Sequence, residues 1–361
     1  MKSKLPVLTT AVLLAAGGIA GYRSYQRQRS PDDRSRVQTA VTGQADTEDR
    51  KNSPVVPAQP TAGDQLIRDA RIQLERRASV TARVRQQASL RDRQFRGVGG
   101  YWQKGGSDEL LVRLELQIVG EEANLLQVGT GRFLWTDARL PTGRSITRLD
   151  LRKLRNEAAR TADDFDEFES GHASWSQQPE LSLRYGGLSS FLAALSDSFA
   201  FSPPQSMRWT PNPPLAGLPE SMPVFAVVGQ WKPASLAAIE PRMKEVVAAE
   251  LPNRLSTLPE RIPQEVLVLF GQSDLFPYRI EFRKQLSPPP AASQQIAPLQ
   301  LSSDPLLCIE FEAVSFNMAI AAGQFDYLPG DAKFDDNTAE QLEKIRLQRA
   351  EKVAARQLGR Q

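Results

Sequence analysis

From Leu110 to Ile118 the chain alternates. Val112, Leu114, Leu116 and Ile118 fall on one side, and Arg113, Glu115 and Gln117 on the other. A period of two marks a strand with one face in a core and one in water. Four neighbouring segments share the habit: Gln94–Trp102, with glycine bends, Asn124–Val128, Arg132–Thr136 and Arg144–Leu151, with Gly129-Thr130-Gly131 as a turn. Connections this short suit an antiparallel meander and leave no room for the helical crossovers of a parallel sheet. A sheet with one apolar face must cover it.

The rest of the chain supplies candidate covers and more strands. A helix is expected from Leu66 to Ser89, with Asp64 as N-cap and Ile67, Ala70, Leu74, Ala78 and Ala88 as its apolar stripe. Its other face carries Arg68, Arg71, Arg76, Arg77, Arg83 and Arg85. That face reads either as solvated or as one attracted to anionic lipid head groups. Leu188–Phe199 makes an amphipathic helix and Leu236–Leu251 another, while the Pro-rich 202–223 is expected to wrap as an extended surface segment. Pro223–Trp231, Glu265–Phe270, Tyr278–Arg283, Leu306–Phe311 and Val314–Met318 form a second strand set, ended by Phe325–Asp331. From Thr338 a thin stripe of Leu342, Ile345, Val353 and Leu358 predicts an exposed, weakly packed helix with six basic and three acidic residues.

The N-terminus has a different character. Lys2 and Lys4 precede an apolar stretch, Leu5–Ala20, followed by Arg23, Arg27 and Arg29. Sixteen residues is long for a cleaved signal and slightly short for a comfortable span. Residues 1–29 are therefore read as an inner-membrane anchor with the main domain periplasmic, the alternative being release to the periplasm after cleavage. Residues 30–64 are rich in Ser, Thr, Gln, Asp, Arg and Pro and cannot bury enough apolar surface to fold, so they read as a tether. A folded domain at 65–337 and a charged tail at 338–361 complete the map.

Chemistry is sparse. The 361 residues contain one Cys and one His, which excludes a disulfide scaffold, a Cys-rich zinc module and His-pair metal motifs. His172 sits in a polar run without a nucleophile elbow elsewhere, and Cys308 lies within the apolar Leu306–Ile309, where a thiol behaves as a small hydrophobe. No phosphate-binding loop, dinucleotide fingerprint or zincin motif occurs, so neither catalysis nor a cofactor is expected. The acidic run Asp163–Glu169 lacks the central glycine of a calcium loop. A net charge of +3 argues against a nucleic-acid partner.

Three stretches carry a family resemblance: the leading helix and glycine-containing strand within Leu66–Tyr101, the turn and strand Gly131-Arg132-Phe133-Leu134-Trp135, and Phe325-Asp326-Tyr327-Leu328-Pro329-Gly330-Asp331 with Phe334-Asp335-Asp336. In that order they resemble the periplasmic lipoprotein-carrier superfamily (LolA/LolB-like, LppX-like). The resemblance implies an α+β fold: an unclosed antiparallel β-barrel, a curved half-barrel sheet covered by helices. It also implies a non-catalytic site for a lipid or lipoprotein acyl chain. Candidate lining residues are Val112, Leu114, Leu116, Ile118, Leu126, Val128, Phe133 and Trp135. The same side chains suit an ordinary core packed on the helices, because alternation does not distinguish a filled interior from an open one. The partners implied are a lipid or acyl chain and the membrane surface; the alternative is an anchored scaffold or sensor that docks an envelope protein.

Overall fold

A computed structural model describes residues 61–90, 93–105, 110–141, 143–163, 187–211, 214–240, 258–259, 262–284, 305–343, 345–347 and 350. The anchor, most of the tether, the acidic run after Asp163 with His172, most of the expected Leu236–Leu251 helix and the end of the tail lie outside them. Among the described residues no helix is long and apolar enough to cross a membrane.

Helix α1 spans Ala62–Arg76 and takes in the last three residues of the expected tether. Its N-cap is Thr61, not Asp64. Asp64 is instead the third helical residue of a capping box, in which Thr61 Oγ1 accepts from the Asp64 N–H and Asp64 accepts from the Thr61 N–H. The helix stops at Arg76, well before Ser89. Ser79–Leu90 is strand β1, paired along its length with β2 (Arg93–Lys104) and with β12 (Leu307–Phe316). Val80, Ala82, Val84, Gln86 and Ala88 are buried with period two, and Arg83 and Arg85 therefore stand on a sheet, not on a basic helix face.

The meander continues through β3 (Leu111–Ile118), β4 (Ala123–Thr130), β5 (Phe133–Leu140) and β6 (Gly143–Asp150). Helix α2 (Leu151–Asp163) and helix α3 (Gly187–Ser198) follow. The second strand set is β7 (Phe199–Phe201), β8 (Gln205–Trp209), β9 (Met222–Trp231), β10 (Glu265–Gly271) and β11 (Pro277–Arg283), with short helix α4 (Pro233–Ile239) after β9. The expected surface wrap at 202–223 thus contains a strand, anchored by the fully buried Trp209. Leu306–Phe311 and Val314–Met318 are not two strands but the single β12. A bulge interrupts it at Ala313, whose φ of 48° turns its N–H to the Ala216 carbonyl. The last strand, β13 (Asp335–Asp336), lies parallel to β6.

The thirteen strands among the described residues form one sheet, in the order β13-β6-β5-β4-β3-β2-β1-β12-β11-β10-β9-β7, with β8 also on β9. The two ends do not meet, so the sheet is an unclosed, mostly antiparallel half-barrel. Its inner face carries α1 and α3: Ile67, Ala70 and Leu74 of α1 and Leu188, Phe191, Leu192 and Leu195 of α3 join one core with Val84, Tyr101, Phe199, Val266, Ile280 and Phe311. Burying each large side chain there contributes roughly 1.5–3 kcal/mol. Over this half of the sheet the interior is filled.

The expected weak tail is better packed than its sequence suggests. Residues 338–343 are helical, Ile345 is 2% exposed against Leu134, Leu149, Leu151 and Leu154, and Arg346 pairs with Glu157 at 2.8 Å.

Candidate functional site

Register decides which side chains share a face. Opposite β3 and β4 residues pair as Val112 with Gly129, Leu114 with Gln127, Leu116 with Leu125 and Ile118 with Ala123. Leu126 and Val128 stand instead beside Glu115 and Arg113, and Val128 pairs with Trp135 on β5. The eight expected lining residues are therefore divided. Val112, Leu114, Leu116 and Ile118 face inward, with the helices; Leu126, Val128, Phe133 and Trp135 face outward. The physical reason is parity: the four-residue turn from Val119 to Glu122 sets even-numbered β3 residues against odd-numbered β4 residues. The sequence holds two adjacent leucines, and Leu125, not Leu126, is the inward one.

The outward four are a packed layer. The chain from Ala321 to Thr338 crosses the outer face of β3 to β6 as a strap. Its 3-10 turn Ala322–Phe325 buries Phe325, and the Gln324 carbonyl accepts from Arg113 Nη1 at 3.1 Å. Trp135 meets Tyr327 and Phe334 at ring-centroid distances of 5.4 and 5.0 Å. Arg148 lies between Phe133 and Phe334, 5.0 and 4.8 Å from their centroids, and pairs with Asp336 at 2.5 Å. Tyr327 donates to Asp137 Oδ2 at 3.0 Å, and the Arg144 guanidinium forks onto both oxygens of that carboxylate. Arg144 holds Asp137 below the usual carboxylate range against the opposing effect of burial, with Tyr327 assisting.

The inner face of β2 to β6 resolves into rows. Tyr101, Leu114, Gln127, Thr136 and Thr147 stand side by side in one. On one side lie Gln103, Val112, Gly129, Leu134 and Leu149, and on the other Gly99, Leu116, Leu125, Ala138 and Ser145, then Gly97, Ile118, Ala123, Leu140 and Gly143. None of these twenty residues is charged. Arg113, Glu115, Asp137, Arg139, Arg144, Arg148 and Asp150, the charged residues of β3 to β6, share the opposite parity and face outward, as do Arg96 and Lys104 of β2.

Helices flank this uncharged surface. Leu151 and Leu154 of α2 cover Leu134 and Leu149. At the other side the N–H of Leu188 in α3 donates to the Tyr101 hydroxyl at 3.0 Å, and Tyr101 donates to Gln103 Oε1. Burial pushes the Tyr101 phenol pKa well up, and the Leu188 N–H only partly offsets it. Gly187 fits here because its φ is 64° and a Cβ would come within 2.7 Å of the Tyr101 hydroxyl. Between the helices Val112, Leu114, Thr136, Ala138, Leu140 and Thr147 remain half-buried and Ser145 exposed. An open groove of about 370 Å³ lies at the end of β3 to β6, where Gln117, Asn124, Arg139 and Arg144 meet Glu121 and Glu122 beside Ala123, Leu140 and Gly143. Its mixed charge does not suit an acyl chain.

The sequence matches no family model and no curated relative. Solved structures give low-scoring likenesses. An uncharacterized conserved protein from Thermus thermophilus aligns with TM-score 0.36 and 10% identity over 75% of this chain and 98% of that one. A domain described as an outer membrane lipoprotein-sorting protein from Vibrio parahaemolyticus gives 0.28 and 7%, over 73% and 96%. A DUF1329 family protein from Desulfovibrio piger gives 0.29 and 9%, over 74% and 96%. Scores of this size leave function to the geometry of the sheet itself.

One feature was not foreseen in the sequence. On the outer face of β10, β11, β12 and β1 a ladder of charges is buried. Glu265 accepts from Arg283 at 3.1 Å, and Arg283 Nε donates to Glu281 at 2.9 Å. Arg279 joins Glu281 to Glu310, and Arg85 reaches Glu310 at 3.4 Å. Cys308 sits among these groups, and burial pushes its thiol pKa far up, against the pull of Arg279. Burial pulls the Arg279 pKa down, but the Glu281 and Glu310 carboxylates outweigh it and raise it. Period-two charges on a strand normally mark a wet face. Here Pro214 and Ala216 lie over them, with the Ala216 N–H on Glu312 Oε2 at 2.9 Å and the Pro214 carbonyl accepting from Arg85.

Proposed function

We propose that this chain is an envelope-facing, membrane-tethered domain that binds a lipid or other acyl-chain ligand on the inner face of β3 to β6, without making or breaking a covalent bond. The observation that carries this reading is the sorting of charge. Four neighbouring strands, β3 to β6, send every charged side chain outward and leave an uncharged, partly open surface inside. An apolar chain laid along it gains about 0.8 kcal/mol per methylene removed from water. Apolar sites with a few placed polar groups are the usual form of a small-molecule pocket. The apolar, lysine-flanked 1–29 stretch supports an inner-membrane tether with the domain in the periplasm.

The test is native mass spectrometry of the full chain extracted from membranes in mild detergent. The expected result is a retained acyl-chain adduct that is lost in Leu114→Asp, which places a charge in the open centre of the surface. Protein that emerges ligand-free and takes up no added acyl ligand refutes the reading.

A further inference from the structure

We infer that the ligand is held as a neutral acyl ester or amide, with its carbonyl at the row Gln127, Thr136 and Thr147 and its chain directed toward Leu116, Ala138 and Leu140. This rests on the binding reading above and specifies what that site selects. Apart from Ser145 at its open side, the inner face is otherwise apolar along β4, β5 and β6, yet one row places an amide and two hydroxyls side by side. Gln127 Nε2 donates to Thr136 Oγ1 at 3.4 Å, a long bond that leaves the threonine hydroxyl able to turn toward a ligand. Gln127 is 9% exposed and Thr136 and Thr147 are half-buried, so the row is reached from inside the sheet.

Direction follows from what stands on either side. The row that holds Leu134 and Leu149 is closed by Leu151, Leu154 and Ile345. Across the polar row, Ala138 and Leu140 remain half-buried and Ser145 and Gly143 exposed, so a chain extends that way. Charge sets the head group. With no cation on the inner face of β3 to β6, a free carboxylate would lose its hydration without a partner, whereas an ester carbonyl needs only one donor. A phosphate or other charged head finds no partner on this face and must point off it into solvent.

The experiment compares 1-monooleoylglycerol, oleate at pH 9 and hexadecane as competitors for an environment-sensitive fluorescent acyl probe on the full chain. The expected order places the monoacylglycerol on the order of tenfold tighter than either of the others, the size of one or two hydrogen bonds made without a charge. Gln127→Leu and Thr136→Val, each checked for native circular dichroism, bring it to the level of hexadecane. Hexadecane binding as tightly as the ester, with both variants unchanged, overturns the inference and leaves apolar binding standing. Oleate binding tightest also overturns it. If none of the three competes and the probe itself does not bind, the function proposed above fails with it.

Discussion

Glu281 is the residue on which the buried ladder turns. It is fully buried, and three guanidinium N–H groups end on its carboxylate: Arg279 Nε and Nη2 at 2.9 and 2.7 Å on one oxygen, Arg283 Nε at 2.9 Å on the other. Charge-assisted hydrogen bonds contribute about 1.5–3 kcal/mol each, which sets a ceiling of roughly 5–9 kcal/mol for all three. Removing one partner of a buried pair costs about 3–5 kcal/mol, because the charge left behind is uncompensated. Arg279 retains Glu310 and Arg283 retains Glu265, so the lower end of that range applies. Glu281→Ala is therefore expected to destabilise the domain by about 3–4 kcal/mol. Urea unfolding followed by tryptophan fluorescence measures this as a lower midpoint at unchanged m-value. Arg71→Ala is the control. Its 4.0 Å contact with Glu75 is partly exposed on α1, and its loss is expected to cost less than about 1 kcal/mol. A Glu281→Ala cost no larger than the control's would refute the reasoning, since it would mean that water reaches the ladder.

Three further outcomes are expected. Burial raises the Asp336 carboxyl, but hydrogen bonds from Arg148 and Thr338 outweigh it and hold the pKa at about 2. A folded value below the ordinary one of about 3.9 gives stabilisation that is complete above that pH and lost as pH falls toward 2. Asp137 shifts in the same direction. The strap should therefore loosen from Trp135 across that window, seen as a change in tryptophan emission whose amplitude Asp336→Asn diminishes. Tyr101→Phe removes the acceptor for the Leu188 N–H and is expected to cost about 1–3 kcal/mol, read from the urea midpoint. Gly99→Ala places a Cβ 1.7 Å from the Glu115 carbonyl oxygen, and the forced separation of β2 and β3 should lower the melting temperature by several degrees, roughly as overpacking by about 1–3 kcal/mol does.

How much of the architecture a reader of the sequence could recover depended on how many sides of each strand were covered. β3 alternates cleanly because Arg113, Glu115 and Gln117 face outward beside half-open ground, and it was legible at once. β1 was not. Ala, Arg and Gln recur through Ser79–Leu90, and Val80 and Val84 are spaced as well for a helix as for a strand. Pairing on both sides with β2 and β12, a non-local fact, settles it. β10 is buried at every position, so its apolar run announced a strand but not a face; β11 is buried throughout too, although Arg279, Glu281 and Arg283 alternate along it as on a wet face.

The division of the candidate site has the same root. β4 and β5 carry large apolar side chains on both faces because two different covers press on them, the strap outside and α2 with the inner core inside. Hydrophobicity alone then cannot assign Leu125 and Leu126 to faces, and the larger aromatic pair, Phe133 and Trp135, points to the outer one. Charge carries the missing information. Val128 stands beside Arg113 and Leu126 beside Glu115, so the outer face of β4 sits among ions, while Leu125 and Gln127 stand beside Leu116 and Leu114. A ligand site read from apolar residues would have straddled the sheet. Read from where the charges are absent, the proposed site falls on one continuous surface, with a polar row that apolar periodicity had passed over.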